Sequence, residues 1–199
     1  MGQRVAELRD ELGRMIRSEG PHRLRDFNPK TDATPFAAEG SNAAYWQDDR
    51  EYYTGYPNGM MFAWDQYFEA IMQWHAGVPA TWARNGLVLF LESISPQGFF
   101  PRTVPKMWWS LFHAQPFLCQ LALFISRWES DAEWLYPEYY FRLKQYLFYW
   151  LKRLSPDGTN LSVWDHAGHT GMDNQTERAG YFHDAYCLGV DLNSYIIRD

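Results

Sequence analysis

Residues 162–178 read Ser-Val-Trp-Asp-His-Ala-Gly-His-Thr-Gly-Met-Asp-Asn-Gln-Thr-Glu-Arg, a run dense in titratable groups: Asp165, His166, His169, Asp173, Glu177 and Arg178. Carboxylates and imidazoles are the side chains that most often move protons in catalysis. Gly168 and Gly171 permit tight backbone turns between them. The same composition also describes a solvated surface loop. Asp165, His166, His169 and Asp173 are ligand types for a metal, but their spacing matches no common metal motif, so no metal and no cofactor are expected.

Two further clusters carry groups suited to binding. In Phe62-Ala63-Trp64-Asp65-Gln66-Tyr67-Phe68 the Asp is either a helix cap beside a core Trp or an acceptor for hydroxyl groups beside a stacking ring. In Gly98-Phe99-Phe100-Pro101-Arg102, followed by Trp108-Trp109 and His113-Ala114-Gln115-Pro116, two adjacent Trp lie in a proline-bounded loop. They are hard to bury together, so one is expected to face a ligand or partner.

Helices must position these clusters. Val5, Leu8, Leu12, Met15 and Ile16 give helical spacing over residues 3–17. Residues 18–58 are polar and rich in Gly and Pro, a long irregular connection of a kind that is often functional. Further helices are expected over 61–76, 80–94, 114–128, 132–154 and from His183 onward, bounded by turn and cap signals. Ser-Pro-x-Gly ends a helix at 95–98 and again at 155–158, a weak repeat of helix pairs. No segment keeps a two-residue alternation, so an all-α fold is expected. The last helix meets no stop signal, which is read as truncation relative to a whole domain.

Composition narrows the partners. The chain has 199 residues and a net charge of −6, which argues against nucleic acid, since phosphate binding needs a basic surface. There is no run of about 18 apolar residues to span a bilayer, and no apolar leader near Met1. Cys119 and Cys187 read as two buried thiols in a reducing, cytoplasmic setting. Aromatic residues make up 18% of the chain, enough for a large helical core or for a sugar site in which flat rings meet pyranose faces.

The order of the motifs resembles that of trehalases and α-glucosidase-like enzymes, glycoside hydrolase families 37 and 63. Trp64-Asp65 is similar to their early Trp-Asp, and Asn85 to an Asn on the next helix. Gly98-Phe99-Phe100-Pro101 matches a Gly-x-x-Pro turn, and His113-Ala114-Gln115-Pro116 an Arg-Ser-Gln-Pro stretch, with His113 in place of Arg. Gly171-Met172-Asp173-Asn174 matches the acid motif, and Val190-Asp191-Leu192-Asn193 the helix after it. The resemblance covers residues 55–199 and leaves 1–54 as a helix with an irregular lead-in. It implies the first half of an (α/α)6 toroid.

It also implies an inverting hydrolase of a small α-glycoside, such as an α-glucoside, with Asp173 as general acid and the base carboxylate outside this chain. Trp64, Asp65, Arg102, Trp108, Gln115, Asn174 and Arg178 then hold the sugar. Asp165 is the second choice for the acid. The implied partners are the carbohydrate substrate and the remainder of the catalytic domain, without nucleic acid or membrane. The competing reading is a non-catalytic helical subunit for carbohydrate binding or assembly.

Overall fold

A computed structural model describes residues 2–26, 48–56, 58–104, 112–155, 159–164, 166, 169–170 and 189–198. Among them the chain is mostly helical, as the missing two-residue alternation leads one to expect. The helices are α1 (Gly2–Glu19), α2 (Ala63–Ala76), α3 (Ala80–Glu92), α4 (Leu118–Glu129), α5 (Glu138–Phe148) and α6 (Val190–Arg198). The pairing of β1 (Met61–Phe62) with β2 (Thr103–Val104) is antiparallel, and it is the only sheet among the described residues. No described helix is long and apolar enough to cross a membrane.

α3 is the centre of the molecule. Leu87 through Leu91 are buried without interruption, because α2, α4 and α5 all pack on this helix. A helix apolar on every side is stable only when surrounded. The core continues through Phe100, Leu118, Leu121, Ile125, Tyr146 and Trp150.

α1 lies against the end of α2 through Ile16, Tyr53, Ala76 and Val78. Gly13 permits the approach, since a Cβ there would stand 2.8 Å from the Ala76 carbonyl oxygen. Two guanidinium groups of α1 complete the contact: Arg9 donates to the His75 carbonyl at 2.7 Å and Arg17 to that of Ala76 at 3.1 Å. Carbonyls in the last turn of a helix have no partner within it, and cations are favoured there.

Several boundaries differ from the sequence expectation. The helix expected from Ala114 begins at Leu118, because residues 112–114 are held extended: Ala114 donates its amide to Phe100 at 3.0 Å, and His113 bridges to Pro101. The single helix expected over 132–154 is three pieces: a 3₁₀ turn at Glu133–Leu135, then α5, then a π turn at Tyr149–Arg153. Pro137 separates the first two, since a proline inside a helix lacks the amide and clashes with the preceding turn. Of the helix expected from His183, residues 183–188 lie outside the described residues, and Gly189 immediately precedes α6.

The first Ser-Pro-x-Gly stretch is a tight turn with Gly98 at φ 89°, its amide donating to Ser95 at 2.8 Å. Of the second copy, residues 156–158 lie outside the described residues.

α2 is apolar on the wrong side for an ordinary surface helix. It buries Gln66, Glu69 and Gln73, while Phe68, Met72 and Trp74 are exposed. Trp74 meets Phe124 of α4 edge to face at 5.9 Å, and Leu123 beside it is exposed too.

Candidate functional site

Backbone hydrogen bonds and ring contacts bring three separate stretches to the start of α2. Met61 and Phe62 pair with Val104 and Thr103, and the Ala63 amide donates to the Arg102 carbonyl at 3.0 Å. The Arg102 amide in turn donates to Phe112 at 3.0 Å. The Phe112 ring stacks on His166 at 4.9 Å and meets His169 at 5.7 Å. The beginning of α2, the 100–104 stretch, the 112–114 stretch and the 162–170 loop are therefore neighbours, although up to about a hundred residues of chain separate them.

The 162–170 loop is anchored from two sides. Asn193 of α6 grips the backbone of Ser162 twice: its amide nitrogen donates to the Ser162 carbonyl at 2.9 Å and its oxygen accepts the Ser162 amide at 2.9 Å. The Ser162 hydroxyl donates to the Trp150 carbonyl at 2.9 Å. Trp164 is fully buried, edge to face with Trp150 at 5.6 Å. Gly189 is required beside it, as a Cβ there would lie 2.7 Å from the Trp164 indole nitrogen.

Of the residues expected to donate a proton or to hold the sugar, four are described. Asp65 is half-buried in the first turn of α2, where the helix dipole favours a negative charge. Arg102 is half-buried, its guanidinium carbon 6.0 Å from the Phe62 ring centre. Trp64 packs in a ring cluster: Phe117 edge-on at 5.0 Å, Phe68 at 5.6 Å and Tyr195 at 6.1 Å. It thereby ties α2 to α4 and α6. Gln115 is only 1% exposed, and neither atom of its carboxamide has a protein partner among the described residues. Trp108, Asp165, Asp173, Asn174 and Arg178 lie outside the described residues.

Two motif residues have structural duties. His113 is fully buried, with Nδ1 at 2.9 Å from the Phe100 backbone and its ring 4.6 Å from those of Tyr149 and Trp150. Asn85 donates its amide to the Glu51 carbonyl at 2.8 Å, which holds the lead-in on α3.

Sequence reasoning missed Glu69. It is 6% exposed on α2, one turn after Asp65. Oε1 accepts the Gly55 amide at 2.8 Å and lies 3.4 Å from the Thr54 hydroxyl, while Oε2 accepts the Gln66 side-chain amide. Burial and then the charge of Asp65 push this carboxyl well above the usual carboxylate range, to about 7, against the pull of the Gly55, Thr54 and Gln66 bonds. The available signal was Gln66, Glu69 and Gln73 at helical spacing, a polar stripe that local composition assigns to solvent.

Among the described residues no group of three or more His, Cys, Asp or Glu side chains is placed to hold a metal ion. Comparison with models of known protein families, with curated proteins and with solved structures returned no match.

Proposed function

We propose that this chain supplies the general-acid half of an inverting glycosidase acting on a small α-glycoside, within the first half of an (α/α)6 toroid. Asp173 is the proton donor of this reading, and the base carboxylate comes from outside the chain. An inverting site holds its two carboxyl groups about 6.5–9.5 Å apart so that water fits on the far face of the sugar. Asp65, Arg102, Gln115, Trp64, Trp108, Asn174 and Arg178 are proposed to hold the glycosyl unit.

The observation that carries the reading is the meeting of the motif-bearing stretches. Residues 61–65, 100–104 and 112–115 and the root of the 162–178 loop adjoin through backbone bonds and the Phe112–His166 stack. Gln115 adds to it. A buried amide without a partner costs about 1–3 kcal/mol, and a sugar hydroxyl is a group that would satisfy it. The exposed apolar side of α2 also fits a helix layer that expects neighbours.

The deciding experiment is Asp173→Asn in the complete enzyme, assayed on a natural disaccharide and on an aryl glycoside. Loss of a general acid costs about 10²–10⁴-fold on the poor leaving group and much less on the activated one. Equal losses on both substrates would remove Asp173 from the acid role. No loss on either would make Asp165 the residue to test. Sugar binding without hydrolysis by the complete enzyme would favour the non-catalytic subunit.

A further inference from the structure

The first Ser-Pro-x-Gly turn and the end of α5 enclose a groove of about 400 Å³, lined by Pro96, Gln97, Gln145, Phe148, Tyr149 and Lys152. Small-ligand pockets begin at about 300 Å³. Both of its walls are fixed. Ser95 accepts the Gly98 amide on its carbonyl at 2.8 Å and the Phe99 amide on its hydroxyl at 3.0 Å. The turn sits directly on α5, since a Cβ on Gly98 would stand 2.4 Å from the Gln145 carbonyl oxygen. At the other end the helix widens into the π turn Tyr149–Arg153, a feature frequent at functional sites. Tyr149 packs its ring onto Phe99 at 6.1 Å and His113 at 4.6 Å, which anchors that end to the core.

The lining combines three kinds of group. Phe148 is 53% exposed and lies beside Pro96, which gives an apolar face. Gln97 and Gln145 are exposed, and among the described residues their carboxamides have no hydrogen-bond partner. Lys152 is exposed and equally without a partner, and no carboxylate lines the groove among the described residues. One and two turns back from Phe148 stand Lys144 and Phe141, both exposed. The one carboxylate of α5, Glu138, is paired with Arg142. In a chain of net charge −6 this end of α5 is therefore locally positive.

We infer that this groove binds a small acidic sugar, a polyhydroxylated ring that carries one carboxylate or phosphate. The acidic group pairs with the Lys152 ammonium, the stronger kind of hydrogen bond because both partners are charged. Hydroxyl groups both donate and accept, as carboxamides do, so they match Gln97 and Gln145. The C–H face of the ring lies on Phe148. A neutral sugar leaves Lys152 without a counter-charge. An aryl acid leaves the two carboxamide oxygens without donors. The groove shares no lining residue with the stretches gathered at the start of α2. This inference does not depend on the glycosidase reading.

The test follows the side-chain amide NMR signals of Gln97 and Gln145 while glucuronate, glucose 6-phosphate, glucose or benzoate is added. At least one of the two acidic sugars is expected to shift both signals saturably and to bind about fivefold more tightly than glucose, the range of an exposed ion pair. The tighter of the two tells a carboxylate ligand from a phosphate ligand. Lys152→Gln, which keeps the length of the stem, removes the preference over glucose. Phe148→Ala weakens all the sugars. Both side chains are exposed, and an unchanged spectrum elsewhere checks that the fold is kept. Absence of a saturable shift at Gln97 and Gln145 overturns the site. So does glucose binding as tightly as the better acid, benzoate binding more tightly than both, or a preference that survives in Lys152→Gln. Shifts confined to the surroundings of Asp65 and Arg102 place the sugar at the start of α2 and overturn it as well.

Discussion

Asp65 and Glu69 stand one turn apart on α2, and the charge of the half-buried first helps to keep the fully buried second protonated up to about pH 7. Carboxylates spaced four apart on a helix repel. Here the repulsion acts on a Glu69 that is enclosed by Thr54, Gly55 and Gln66.

The first prediction concerns stability against pH. A carboxyl whose folded pKa is raised binds its proton more tightly folded than unfolded. Its contribution is therefore favourable at low pH, declines as pH rises from the ordinary carboxylate range to about 7, and is level above that. Glu69→Gln should be more stable than the wild type at pH 8, by up to about 3 kcal/mol, and should lose that advantage at pH 4.5. Urea unfolding at the two pH values checks it. A variant no more stable at pH 8 than at pH 4.5, relative to wild type, refutes the buried-acid account.

Asn193→Ala should release the 162–170 loop. The substitution removes both bonds to the Ser162 backbone and leaves that buried amide and carbonyl unpaired. The cost is about 1–3 kcal/mol, read as a lower urea midpoint. Asn193→Asp should not rescue it, since a carboxylate cannot donate to the Ser162 carbonyl. Full rescue by Asp would show that the donated bond is unimportant.

Gly77 and Gly98 both have positive φ, at 67° and 89°, yet they should respond differently to alanine. At Gly77 nothing lies within 4 Å of an added Cβ, so the cost is the left-handed backbone alone, about 1–2 kcal/mol. At Gly98 the Cβ would fall 2.4 Å from the Gln145 carbonyl oxygen, so α5 must shift as well. Gly98→Ala should lower the melting temperature clearly more than Gly77→Ala. Equal losses would mean that the turn moves away from α5 without resistance.

The mostly helical character was legible in the sequence because it is local. Spacing of apolar residues marks α1 to α4 within a few positions, and Gly77, Pro79 and Gly98 mark their breaks, since backbone sterics act over one or two residues. Where a distant partner competes, local signals mislead. Residues 114–117 look helical, but Ala114 bonds Phe100 beside the bridge of His113 to Pro101, and α4 begins only at Leu118. The Trp-Asp and Gln-Pro motifs were likewise visible as residue types.

Only the tertiary structure decided what encloses them. Glu69 reads as an ordinary surface residue of an amphipathic helix. It becomes a buried acid because residues 53–56 fold over it and Gln66 fills its second oxygen. Trp64 reads either as a core anchor or as a stacking face, and it is packed among Phe68, Phe117 and Tyr195. Side-chain type is written in the chain, but burial depends on which remote surfaces arrive, and burial sets the local dielectric that decides whether a carboxyl keeps its proton.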